Sequence, residues 1–372
     1  MIDPKHFVDS LAKQGVDYYA GVPDSLLKEF CAYVDDHGAA GKHTIAANEG
    51  NAVGMATGYY MATGQYPVVY LQNSGLGNII NPLTSIADKE VYSIPMLLVI
   101  GWRGEPDVKD EPQHIKQGRI TVEQLELLEI PYKVVDKSCD AQELADWAKN
   151  TLNKTQAPVA LLVKKGAFAK YKSQRQPSVK STLGREAALN VLLALIGDAC
   201  IISTTGKISR EVFELREQRK EQQRDFLAVG GMGHTLSIAL GVAMGQPNKK
   251  VVCLDGDGSA LMHLGALPIV GSIAPSNLVH VLLNNAAHES VGGQPTVADN
   301  TDFKAIALAS GYTAYAVAAT LDELTTAWKT LANQQGPVML EVRIAIGSRD
   351  NLGRPTTTPF ENKQAFMDWV AQ

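Results

Sequence analysis

Short apolar runs alternate with longer stretches of helical period from one end of the chain to the other. In the first half, YYAGV (18–22), HTIAA (43–47), YPVVYLQ (66–72), IPMLLVIG (94–101), YKVVD (132–136) and PVALLV (158–163) read as strands. In the second half, ACIIST (199–204), FLAVG (226–230), KKVVCLD (249–255), LVHVLLNN (278–285), YTAYAV (312–317) and PVMLEV (337–342) do the same. Most of these runs are apolar throughout rather than alternating, as expected of parallel strands covered on both faces. The intervening segments are long enough for helical crossovers, so the pattern predicts α/β architecture. The opening MIDPKHFVDSLAKQG predicts an amphipathic helix.

The halves end alike. QELADWAKNTLNKTQAPVALLV and DELTTAWKTLANQQGPVMLEV each give a helix, a turn and a Pro-Val strand, which suggests one α/β unit used twice. Between them, KYKSQRQPSVKSTLG (170–184) lacks apolar periodicity and reads as a linker. The expected domains are therefore residues 1–169 and 185–372.

At 372 residues the chain suits two cores better than one. A net charge of −5 gives no basic field for nucleic acid or an anionic membrane. Four scattered cysteines form no ligand cluster, and no run reaches the length of a membrane span. These features point to the cytoplasm.

The sharpest local signal runs from Cys253 to Asn285. One strand stops at Asp255-Gly256-Asp257-Gly258-Ser259 and the next at Asn284-Asn285. The residues between suffice for a helix and a returning parallel strand. That crossover would bring both polar strand ends to the carboxyl edge of one sheet, where open α/β folds bind ligands. A carboxylate from Asp257 and an amide oxygen from Asn285 suit Mg²⁺. Backbone N–H groups of Gly256, Gly258 and Ser259 at a helix start suit an anion.

The GDG…NN spacing resembles that of the thiamine diphosphate enzymes. The resemblance implies two doubly wound parallel-sheet domains, one binding the cofactor's pyrimidine and the other its diphosphate, without a middle domain. It also implies thiamine diphosphate with Mg²⁺ held by Asp257, Asn285 and the backbone oxygen of Ala287. Glu49, at a strand-to-helix junction in AANEGNAVGMATG, would be the acid at pyrimidine N1′. In Val229-Gly230-Gly231-Met232-Gly233-His234, Met232 would prop the bent cofactor and the Gly230 carbonyl would accept its amino group. That turn is expected to end a strand beside the GDG strand. Thr205, closing the strand IISTTG, is a further cofactor candidate.

AGVPDSLL, LQNSGLGNIINPL, IGWRGEPDVKDEPQHIKQG and HESVGGQPT resemble the phosphonopyruvate decarboxylases, with the sulfopyruvate decarboxylases close behind. The implied reaction converts phosphonopyruvate to phosphonoacetaldehyde and CO₂. The alternatives are decarboxylation of sulfopyruvate or an acetolactate-type carboligation. Simple pyruvate decarboxylases carry a glutamate six residues after the metal-binding asparagine. Here that position is Val291 and the glutamate is Glu289. Candidates for holding the substrate tail are Ser25, Arg103, Arg349 and Arg354, with Lys109 and Lys116 behind them. Lys207 and Arg210 could serve the tail or the diphosphate. Asp24 and His114 are expected to handle protons, with His288 as a second histidine near the metal limb. The resemblance also implies a homo-oligomer, at least a dimer, with sites between subunits. A dinucleotide-binding protein is the rival class, but no GxGxxG opens a βαβ unit.

Overall fold

The computed structural model describes residues 1–175 and 181–372. The chain divides into two compact units, Met1–Gln176 with Ser290–Pro295, and Pro177–Glu289 with Thr296–Gln372.

The first unit contains β1 (Tyr18–Gly21), β2 (His43–Ile45), β3 (Pro67–Gln72), β4 (Leu97–Gly101), β5 (Tyr132–Val135) and β6 (Val159–Val163). They form one parallel sheet in the order β2-β1-β3-β4-β6-β5. The second contains β7 (Cys200–Ser203), β8 (Phe226–Leu227), β9 (Val251–Gly256), β10 (Leu278–Asn284), β11 (Ala314–Ala318) and β12 (Val338–Arg343). Its parallel order is β11-β12-β10-β9-β7-β8. Counted from each unit's own first strand, both sheets read 2-1-3-4-6-5, as repeated use of one unit requires. Every strand expected from the apolar runs is present. Residues of the inner strands β4 and β6 are buried throughout, because helices on both faces leave no side exposed to water.

Local chemistry accounts for the helix starts. Pro4–Lys13 begins at Pro4, whose missing N–H costs nothing in a first turn, and Asp3 accepts from the N–H groups of Lys5 and His6. Its Phe7 and Leu11 are buried in the first unit's core, each contributing roughly 2 kcal/mol by removal from water.

In each unit the chain leaves its first strand in one direction and its third in the other. The crevice between those strand ends, at β1/β3 and at β7/β9, is where a doubly wound sheet presents ligand groups. The predicted crossover is present. Helices Asp257–Met262 and Ala266–Ile273 connect β9 to its neighbour β10, with Leu283 opposite Gly256.

One expectation is corrected. The Gly-Gly-Met-Gly turn does not end a strand beside the GDG strand, because β8 pairs with β7, which lies between it and β9. With only two residues, β8 is a short edge strand, and the turn after it crosses the end of β7 to start helix Thr235–Gly245, which packs on β9.

The segment read as a linker is tied down at its described ends. Tyr171, Ser173 and the Gln174 N–H all bond to Asp36. Ser181 donates to the Arg343 carbonyl, and the Leu183 carbonyl accepts from Ala345. Residues 176–180 of that segment lie outside the described residues.

Candidate functional site

At the carboxyl edge of β9 and β10, Asp257 is buried. It accepts from the Thr296 hydroxyl and from the backbone N–H groups of Asn285 and Gly258. Burial dominates nonetheless and pushes its carboxyl up to about 6. Asn285 donates its side-chain NH₂ to Glu289 at 2.8 Å, while its Oδ1 accepts from the Ala287 N–H at 3.1 Å. Glu289 also binds Arg185 and Lys207, each at 2.7 Å. Burial would raise the Glu289 carboxyl, but the two cations outweigh it and hold the group below the ordinary glutamate range. Arg185 in turn grips the buried Glu211 through two parallel 2.8 Å bonds.

The glycine-rich turn reaches this edge. The Gly233 N–H donates to Ser259 Oγ at 3.1 Å, and Thr204 Oγ1 donates to the same oxygen at 3.1 Å. Gly231 and Gly233 have φ of +67° and +88°, which an L side chain rarely adopts. A Cβ on Gly258 would stand 3.3 Å from the His288 ring and 3.4 Å from Met232 Cε. Met232, Gly258, Ser259 and His288 thus surround the start of the helix after β9. His288 is buried, which lowers its pKa to about 4, so it is neutral at pH 7. Thr205 and Gly230 lie partly exposed at the ends of β7 and β8.

In the first unit, Glu49 opens helix Glu49–Thr63 behind the cap Asn48. It is 5% exposed, and burial raises its carboxyl above the ordinary glutamate value. Asn78 donates to one carboxylate oxygen at 2.7 Å. The other rests on Gly75, where a Cβ would come within 2.4 Å. Asn78 and Gly75 both lie in LQNSGLGNIINPL, a motif visible in the sequence without roles for its members.

A second cluster joins the ends of β1, β3 and β4. Asp24 is fully buried, accepts from Gln72 at 2.6 Å and from the Leu26 N–H at 2.9 Å, and packs on Gly101. Burial raises its carboxyl despite these bonds. Arg103 holds Asp110 with both arms of its fork and donates to Ser25 at 2.8 Å. Two residues chosen separately as tail binders are therefore one hydrogen-bonded pair, and Asp110 and Gln72 are partners that sequence reasoning missed. His114 is buried beside them with Nδ1 unpartnered among the described residues, and burial with the nearby Arg103 charge lowers it to about 4. At pH 7 it is a neutral imidazole, not an imidazolium acid.

The remaining candidates separate from these clusters. Arg349 is an occupied cation, paired with Glu186 at 3.0 Å and with Glu214. Arg210 donates to the carbonyls of Leu352 and Gly353. Together they fasten the segment after β12 to its own unit. Arg354 on that segment is exposed, as are Lys109 and Lys116.

Two parallel sheets of one topology each carry acids and glycines at the carboxyl ends of their strands. Residues 4–127 match the thiamine pyrophosphate enzyme N-terminal TPP binding domain, and residues 202–342 the corresponding C-terminal TPP binding domain. The chain belongs to the thiamine pyrophosphate enzyme family. It is 37% identical to the phosphonopyruvate decarboxylase of Streptomyces viridochromogenes, over 100% of this chain and 95% of that protein. It is 35% identical to the phosphonopyruvate decarboxylase of Streptomyces hygroscopicus over the same shares. With a sulfopyruvate decarboxylase of Methanosarcina acetivorans the identity is 27%, over 80% of each chain.

Proposed function

We propose that this chain is a thiamine diphosphate- and Mg²⁺-dependent 2-oxo acid decarboxylase that converts phosphonopyruvate to phosphonoacetaldehyde and CO₂. The observation that carries the reading is the hydrogen-bonded pair Asp257–Asn285 at the carboxyl edge of the second sheet. Full-length similarity to enzymes named for phosphonopyruvate supports the substrate.

The residues fit the cofactor. Asp257 is a buried carboxylate whose hydrogen-bond donors are all neutral, so a cation beside it would offset the cost of its charge. Asp257, Asn285 Oδ1 and the Ala287 carbonyl would hold Mg²⁺, and the N–H groups of Gly256, Gly258 and Ser259 would take the diphosphate, with Thr205 near it. Met232 and the Gly230 carbonyl would position the rest. Glu49, whose carboxyl burial raises above the ordinary glutamate value, would hydrogen-bond pyrimidine N1′. In this reading residues 1–169 bind the pyrimidine and 185–372 the diphosphate. Bound there, thiamine diphosphate supplies the electron sink that lets CO₂ depart.

Ser25 and Arg103 would receive the phosphonate, Asp110 setting the angle of the guanidinium. Buried Asp24, its pKa raised, and neutral His114 are the groups suited to move a proton nearby. Arg354 remains a tail candidate by position alone. The enzyme works as a cytoplasmic homo-oligomer, at least a dimer, with each site shared between subunits. The family resemblance supports the assembly; four free cysteines and, among the described residues, no helix able to cross a membrane are consistent with the location.

Sulfopyruvate is the second reading, favoured by the relative at 27% identity. CO₂ release measured with phosphonopyruvate, sulfopyruvate and pyruvate decides between them. The highest kcat/KM is expected for phosphonopyruvate, and a preference for either other acid overturns the substrate.

A further inference from the structure

An asparagine side chain has two ends of nearly equal size, and only its oxygen can bind a hard cation. Something must therefore choose which end of the Asn285 amide is left to a cation beside Asp257. We propose that Glu289 is the positioning residue that makes this choice, as an acceptor-only lock on the Asn285 amide. The inference rests on the Mg²⁺ reading of Asp257 and Asn285 given above.

A carboxylate accepts hydrogen bonds and donates none. Glu289 Oε2, 2.8 Å from Asn285 Nδ2, can therefore tolerate only the NH₂ end. The opposite end is then Oδ1, which the Ala287 N–H supports at 3.1 Å. The lock itself is immobilised. Lys207 holds Oε1, while Arg185 holds Oε2, each at 2.7 Å. Arg185 is 4% exposed and is anchored by the buried Glu211. The chain of contacts runs from helix Arg185–Ile196 through Glu289 to Asn285, whose own N–H reaches Asp257. Arg185 and Lys207 hold its two oxygens from different elements, so the carboxylate has no reason to turn away. Groups that orient ligands in this manner typically set metal affinity by about 10–100-fold.

The test exchanges donor and acceptor. Mg²⁺-dependent binding of thiamine diphosphate is followed by titration calorimetry on the full chain, with thermal melting as a check on folding. Glu289→Gln keeps the shape, but its NH₂ must stand against Lys207 in one orientation or against Arg185 and the Asn285 amide in the other, so the lock loosens and half-saturation by Mg²⁺ is expected to rise about tenfold or more. Asn285→Asp sets a carboxylate against Glu289 and should weaken binding too. The double variant Asn285→Asp with Glu289→Gln sets an amide donor against the new carboxylate, with only the Arg185 contact left unfavourable, and should regain part of the loss seen in Asn285→Asp, a non-additive result that general damage does not give.

An unchanged Mg²⁺ requirement in Glu289→Gln overturns the proposal. So does a double variant no better than the worse single one. Should Glu289→Gln fail to fold, the comparison of Asn285→Asp with the double variant still decides. If the unaltered protein binds thiamine diphosphate without regard to Mg²⁺, the metal reading itself fails, which is a separate result.

Discussion

Replacing Asp257 by Asn should stabilise the cofactor-free protein while disabling the proposed Mg²⁺ binding, and the gain should depend on pH. The carboxyl rises from the ordinary aspartate value of 3.8 to about 6 because burial penalises its charge more than Thr296 and the backbone N–H groups relieve it. A rise of that size is worth about 3 kcal/mol between protonation states. For an acid with a raised folded value, the sign is fixed. The group's contribution is fully favourable below the unfolded pKa and is lost as pH climbs through 6. The wild type should therefore carry a penalty of about 3 kcal/mol at pH 8 and roughly half of that at pH 5. The amide variant carries none of it. Asn also gives up acceptor capacity toward Thr296 and the N–H groups, at about 1 kcal/mol, but that cost does not vary with pH. Urea denaturation in a chelator at several pH values isolates the titrating part. The variant's advantage should grow from pH 5 to pH 8. Adding Mg²⁺ and thiamine diphosphate should reverse the order by stabilising only the wild type through binding. Parallel stability profiles for the two proteins across this range would refute the reasoning.

Glu49→Gln should fold and bind thiamine diphosphate while losing orders of magnitude in kcat, since only the acid is gone; near-normal turnover removes Glu49 from the site. Gly75→Ala places a methyl group 2.4 Å from the Glu49 carboxylate and should lower kcat with little change in melting temperature, whereas unaltered kinetics would mean that the carboxyl has room to move. Arg103→Ala should cut kcat/KM for phosphonopyruvate far more than for pyruvate. Arg349→Ala, which breaks pairs with Glu186 and Glu214, should lower stability by about 1–2 kcal/mol and affect both substrates in proportion, so the reverse pattern in the two variants exchanges their roles. Mixing the inactive Glu49 and Asp257 variants should restore part of the activity if sites are shared between subunits, and no recovery after demonstrated subunit exchange would give each chain its own site.

The twelve strands and the doubly wound class were legible because both are local in origin. Apolar runs of strand length bounded by turn residues state where strands lie, and the spacing from Asp257 to Asn285 states that one crossover returns beside its start. Glu49, Met232, Asp257 and Asn285 were singled out as candidates by the resemblance of local motifs, which are likewise contiguous in sequence. Tertiary structure decided what depends on distant partners. The edge position of β8, two residues long, was set by pairing with β7 rather than by its own sequence. Arg349 gave no sign in the sequence of its pairing with Glu186, which the fold brings to it from 163 positions away. Asn78 and Gly75 came to Glu49, and Gln72 and Asp110 to Asp24 and Arg103, by the convergence of strand ends. Periodicity reports which face of an element is buried. It does not report which charge meets which, because a charge's partner and its dielectric surroundings exist only once the chain has closed on itself.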